Sequence, residues 1–186
     1  MQVVENMEDI KKSWFAMKVF HNKVFEIEAY LRAKGVETYF PLRYEEIITG
    51  DERKKVRKPV ITSLIFFRTF SEKTEELEKE LSSRAMLYKY RKSRQVAVIP
   101  DREMEIFKMV TSEDSSKWDF VDVDSIKFST NDKVRVTGGP FEGAEGYIKR
   151  IKGNRRLVVA IEGVVAIATA YIPSCYLEKL TGGLRG

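Results

Sequence analysis

Soft ligands and nucleophiles are scarce in this chain of 186 residues, which holds one cysteine, Cys175, and one histidine, His21. A single thiol forms no internal disulfide, and one thiol with one imidazole falls short of the ligand set that zinc requires. The sequence has no Gly-rich phosphate loop and no paired catalytic signature, so it reads as a non-enzyme with no metal and no cofactor. Long hydrophobic runs are missing as well. No stretch approaches the roughly 18 apolar residues that span a bilayer, and the opening MQVVENMEDIKK lacks the basic-then-apolar order of an export signal. These absences lead to the expectation of a soluble, cytoplasmic, monomeric protein with no membrane partner.

What the chain does have is apolar residues and unevenly placed charge. The hydrophobic share is 43%, ample for packed cores. Residues 14–110 carry 20 Lys/Arg against 15 Asp/Glu, residues 111–130 carry 2 against 5, and residues 131–186 carry 9 against 5. Two basic bodies joined by an acidic connector suggest two domains that touch a polyanion or an acidic protein surface. The expected organisation is a flexible start over 1–13, a domain over 14–110, a linker over 111–128 and a second domain over 129–182.

Within the first domain, WFAMKVF (14–20) reads as a strand, followed by a helix whose Val24, Ile27 and Leu31 recur at helical spacing before Gly35. Residues 36–40 form a strand ended by Pro41. Residues 44–60 read as a charged hairpin turning at Gly50-Asp51, with Arg53, Lys54, Lys55, Arg57 and Lys58 exposed on its return arm. ITSLIFFRTF (61–70) is the central strand, and Ser71 and Thr74 are candidate caps for the next helix. Short strands at 86–90 and 96–99 flank a basic turn, and a helix over 101–110, with Met104 and Phe107 inward, closes the domain. The fold class is α+β, helices on a mostly antiparallel sheet. After the linker, five short runs (133–137, 146–152, 157–161, 164–171 and 175–180) punctuated by glycine suit a small closed barrel.

The stretch 131–151, NDKVRVTGGPFEGAEGYIKRI, resembles the KOW motif: strand, Gly139-Pro140-Phe141 turn, Gly143 and Gly146 three apart, second strand. Trp14-Phe15, the helix ending at Gly35 and VETYFP (36–41) resemble the N-terminal domain of the NusG transcription factors, often called NGN. Thr62, Ser63 and Leu64 stand where that family usually has Pro-Gly or Pro-Asn followed by Tyr. With the WFAMKVFHNKVFEIEAYL opening, this departure is most similar to the specialised RfaH, LoaP and UpxY paralogues, the last serving capsular polysaccharide operons.

The resemblance implies an NGN-type antiparallel sheet followed by an SH3-like KOW β-barrel, and an elongation and antitermination regulator that binds the clamp helices of RNA polymerase. By alignment it implies Trp14, Phe15, Phe40, Pro41, Leu64 and Phe66 as polymerase-facing residues. His21, Lys23 and Arg84 are the implied contacts to non-template DNA or nascent RNA. Phe141 and Ile167 are the implied contacts of the KOW domain to a further partner, ribosomal protein S10 or the termination factor Rho. Two alternatives stand beside this reading: a housekeeping NusG factor, and a ribosome-associated KOW protein that binds RNA. The second leaves the pattern from Trp14 to Pro41 unused.

Overall fold

The computed structural model describes residues 11–50, 52–113, 115–121 and 133–180. Most of the expected flexible start, Asp51 of the hairpin turn, residues 122–132 of the linker and its far side, and the end of the second domain beyond residue 180 lie outside the described residues. The chain divides into two compact units, residues 11–40 with 62–98, and residues 41–61 with 99–180.

In the first unit the elements are β1 (Ser13–Val19), α1 (Val24–Ala33) and β2 (Glu37–Tyr39); the second contributes β3 (Leu42–Thr49) and β4 (Glu52–Pro59) before the chain returns to the first as β5 (Leu64–Thr69), α2 (Thr74–Glu80) and β6 (Ala85–Leu87). β1 and β5 form the centre of an antiparallel sheet ordered β2-β5-β1-β6. Their sequences are apolar on both faces, and both faces are buried, from Trp14 to Met17 and from Leu64 to Phe67. α1 buries Val24, Ile27 and Leu31, the stripe its spacing predicts. Its end is a Schellman turn: Gly35 takes φ +72°, its N–H donates to the Arg32 carbonyl, and the Val36 N–H donates to that of Leu31.

Two local expectations are corrected here. Neither Ser71 nor Thr74 caps α2; a 3-10 turn over Ser71–Lys73 leads into the helix, and the buried Thr74 hydroxyl donates to the Ser71 carbonyl at 2.7 Å. Residues 96–99 form no strand. They pair only locally: Val96 bridges to Lys89, the Ala97 N–H donates to the Tyr88 carbonyl at 2.9 Å, and Ile99 makes an isolated bridge.

The second unit continues with α3 (Asp101–Ser112), β7 (Trp118–Val121), β8 (Lys133–Val136), β9 (Glu145–Ile151), β10 (Asn154–Ile161), β11 (Val165–Tyr171) and β12 (Leu177–Lys179). The expected closed barrel of five strands is replaced by a six-stranded antiparallel sheet, ordered β12-β8-β9-β10-β11-β7, with no pairing between β12 and β7 among the described residues. The extra strand explains the difference. β7 lies inside the segment expected to be linker, and it pairs with β11, covering the outer side of that strand and becoming the edge strand itself. Trp118 anchors it: buried, edge-on to Phe120 at 5.4 Å, its indole N–H donates to the Glu113 carbonyl at 3.2 Å. Val158, Ala166 and Ala168 form a core with Val121, Ile151 and Ala160 around them.

α3, expected to close the first domain, packs in the second unit against β10, burying Met104, Ile106, Phe107 and Val110. Arg102 donates to the Gly143 carbonyl at 3.3 Å and sits 3.4 Å from Glu145, which Arg135 also holds at 2.9 Å. Burial pushes the Glu145 carboxyl up, but the Arg135 hydrogen bond and the two guanidinium charges outweigh it and hold it below the usual range. Glu103, by contrast, is raised, first by burial and then by the charge of Glu162.

Gly146 marks the tightest point of this sheet, since a Cβ there would lie 2.4 Å from the Val158 carbonyl oxygen. Gly146→Ala is expected to destabilise the second unit by about 3 kcal/mol, as overpacking against backbone has no soft side chain to yield. Urea unfolding followed by the Trp118 fluorescence measures it.

Candidate functional site

Strand register sorts the implied polymerase-facing residues. Trp14 pairs with Arg68, Ala16 with Phe66 and Lys18 with Leu64 on β1 and β5, while Tyr39 pairs with Phe66 and Met86 with Lys18 on the flanking strands. Directly opposed residues share a sheet face, so Trp14, Leu64 and Phe66 lie together with Ala16, Lys18, Tyr39 and Met86. Phe15 belongs to the other face, against Phe67 with ring centroids 5.8 Å apart. Phe40, just after β2, packs edge-on to Phe25 at 5.6 Å, and the buried Pro41 accepts the Val60 N–H through its carbonyl.

On the shared face Trp14, Leu64 and Phe66 are all buried; the accessible members are Lys18, Glu37 and Met86, the last 47% exposed. Trp14 is overlain by the Arg68 guanidinium at 6.0 Å, and Tyr39 sits tilted to Phe66 at 6.5 Å. Sequence reasoning missed Lys18, Tyr39 and Met86. The alternation Trp14-Ala16-Lys18 was a readable signal for the first; Tyr39 and Met86 required the register.

The implied nucleic-acid contacts gather at the β1–α1 corner. His21 and Asn22 both take left-handed backbone, φ +55° and +57°, a conformation that non-glycine residues pay for in steric strain. Three bonds hold the corner: Thr62 Oγ1 donates to Asn22 Oδ1 at 2.6 Å, the Val19 N–H to the Ser63 carbonyl at 2.9 Å, and the Phe20 N–H to the Arg84 carbonyl at 2.8 Å. The last bond brings Arg84 beside His21. Thr62 and Ser63, the residues that depart from the family's usual pair, are thus the ones that clamp this turn.

The three side chains there are not equivalent. His21 is exposed. Lys23 lies 3.2 Å from the Glu26 carboxylate, and the Arg84 guanidinium stacks over Tyr30 at 5.3 Å. Tyr30 in turn donates to Glu80 at 2.6 Å, and Lys34 donates to the same carboxylate. That Lys34 bond, with Tyr30 second, holds the Glu80 carboxyl low, and the same contact raises Lys34. Arg84 is therefore pre-oriented by its ring, a cation presented flat.

In the C-terminal sheet the implied contact residues Phe141 and Ile167 are both core side chains, and Gly139 and Gly143 take φ near +80° on either side of Phe141. The accessible apolar groups are Phe120, Tyr171 and Tyr176, with Tyr171 63% exposed. Tyr171, Tyr176 and Pro140 line a small cleft of about 120 Å³ over Phe141. Among the described residues no group of three His, Cys, Asp or Glu side chains is placed to hold a metal, and no helix is long and apolar enough to cross a membrane.

The strained corner is testable by stability. Asn22→Val places a β-branched residue at positive φ and removes the Thr62 acceptor, and is expected to cost about 2 kcal/mol, whereas Asn22→Gly relieves the backbone and costs less. Chemical denaturation of the two variants gives the ordering.

The comparisons with known proteins follow the same lines. The chain is similar to the structure reported as "Domain interaction in Thermotoga maritima NusG", with 20% identity and a TM-score of 0.46, covering 92% of this chain and 98% of that one. No curated protein matches it. The family model described as "Transcription termination factor nusG" matches residues 12–108, more than half of the chain and all of the β1–β5 sheet and its corner. On that match the chain belongs to the NusG family.

Proposed function

We propose that this protein is a specialised elongation and antitermination regulator: its first unit holds the clamp helices of RNA polymerase, and its β1–α1 corner contacts nucleic acid exposed in the transcription bubble. Family membership supports the general role, since NusG proteins are transcription factors that bind RNA polymerase. The observation that carries the finer reading is the sheet face on which exposed Met86 and Lys18 border buried Trp14, Leu64 and Phe66. A rigid apolar floor with an accessible methionine at its rim suits a helical partner, because an unbranched thioether side chain adapts to an irregular surface.

Mechanistically no covalent step is required. A protein that binds only the closed clamp shifts the polymerase toward elongation by its differential affinity for that state. The thermodynamic lever is binding, so the residues that matter are those that reach the surface. In the C-terminal sheet, Tyr171 and Tyr176 are better placed than Phe141 or Ile167 to meet S10 or Rho. The Thr62-Ser63 clamp and the presented Arg84 support the paralogue reading with selected operons, polysaccharide synthesis among them, over a housekeeping role.

Met86→Asp leaves the core intact and puts an unpaired charge on the face. Binding to isolated clamp helices is expected to weaken by about 2 kcal/mol or more, read by calorimetry. Unchanged affinity would show that this face is not the contact. Lys23→Ala with Arg84→Ala is expected to spare clamp binding while flattening the salt dependence of recruitment to a complete elongation complex, by roughly 0.7 in log-log slope per lost single-strand phosphate contact. Chromatin occupancy across the genome distinguishes the two roles: enrichment on a few operons fits the specialised reading, and uniform occupancy of transcribed genes rejects it.

A further inference from the structure

The β3–β4 ribbon is a two-stranded sheet of its own, hydrogen-bonded in register from Leu42↔Pro59 to Thr49↔Glu52. Its two faces differ in chemistry. Opposed residues share a face, so one face carries Arg43, Lys58, Glu45, Val56, Ile47, Lys54 and Glu52, and the other carries Tyr44, Arg57, Glu46, Lys55, Ile48 and Arg53. On the first face the cations are answered: Arg43 lies 2.9 Å from Glu45, Lys58 bonds the same carboxylate, and Lys54 lies 2.9 Å from Glu52. The Lys58 bond, above all, holds the Glu45 carboxyl below its usual range.

On the second face, among the described residues, Arg53 and Lys55 are in no ion pair, although Glu46 stands directly across from Lys55. Beside them Tyr44 is 65% and Ile48 66% exposed. Ile47 is also 41% exposed on the first face, so what distinguishes the second is Tyr44 set among cations that no ion pair among the described residues answers, Arg53 and Lys55. Arg53, Lys55 and Arg57 alternate along one strand, so they repeat about every 6.8 Å. A ribbon of this width is what the major groove of a nucleic-acid duplex admits, with cations for the phosphate walls and short apolar contacts for the base edges.

We infer that the Tyr44–Ile48–Arg53–Lys55 face of the ribbon is a binding surface for duplex DNA, distinct from the β1–α1 corner and from the polymerase-facing sheet. The inference does not rest on the polymerase reading, because the ribbon is defined by its own register and charge. The occupant is duplex rather than single strand because only one aromatic ring, Tyr44, lies on this face, too few for the successive stacking that single strands require.

The test is fluorescence anisotropy of the full chain with a labelled duplex of mixed sequence, and with one of its strands alone, across a series of salt concentrations and without polymerase. Arg53→Ala with Lys55→Ala is expected to weaken duplex binding and to lower the log-log salt slope by about 1.8, two phosphate contacts' worth. Tyr44→Ala is expected to weaken binding with the slope kept. Arg43→Ala with Lys54→Ala removes the same charge from the paired face and is expected to leave the slope nearly unchanged. All these side chains are exposed, and circular dichroism verifies that each variant is folded. Equal losses from the two faces would reduce the effect to net charge and overturn the proposal. So would no duplex binding by the parent protein, or tighter binding of the single strand.

Discussion

The pairing of β1 with β5 is the constraint from which the first unit is built. Both strands are apolar on both faces, so the pair is stable only with cover above and below, and a slip of one residue would exchange the two faces completely. The register that results puts Phe15 with Phe67 on one side and Trp14, Ala16 and Lys18 with Phe66 and Leu64 on the other. The corner that follows β1 inherits this geometry. With Val19 bonded to Ser63 and Phe20 to Arg84, the chain must reverse within a few residues, which is why His21 and Asn22 sit in left-handed backbone.

Much of this was legible in the amino-acid sequence where one physical rule dominated. Helical spacing and a terminal glycine placed α1 and its Schellman turn, β-branched and aromatic runs placed β1 and β5, and glycine spacing placed β8 and β9. The failures arose where tertiary pairing overrode composition. Trp118 and Phe120 stand in an acidic, serine-rich stretch that reads as connector, yet two aromatic side chains with β11 beside them suffice for a strand. Where spacing alone suggested closure, β7 pairs with β11, and among the described residues no pairing of β12 with β7 closes the sheet.

Sequence named candidate residues but could not say which of them reach a surface. Composition cannot tell which side of a strand is accessible, so the resemblance pointed to Trp14 and Phe66, which are buried, and not to Lys18 and Met86, which are exposed on their face. Phe141 and Ile167 illustrate the same limit, being apolar residues that serve the core while Tyr171 and Tyr176 reach the surface. The departure at Thr62 and Ser63, visible in the sequence only as a mismatch, acquires meaning from Asn22, a residue 40 positions away.

The charge on the ribbon has a consequence for how copies of this protein meet one another. A two-stranded ribbon offers unpaired backbone along both outer edges, the template on which chains stack into larger sheets. Where two ribbons met along β4, Arg53, Lys55 and Arg57 would face their own kind, and Pro59 removes a backbone donor at its end. Stacking along β4 is thereby opposed by like-charge repulsion, which salt screens and a bound polyanion would neutralise.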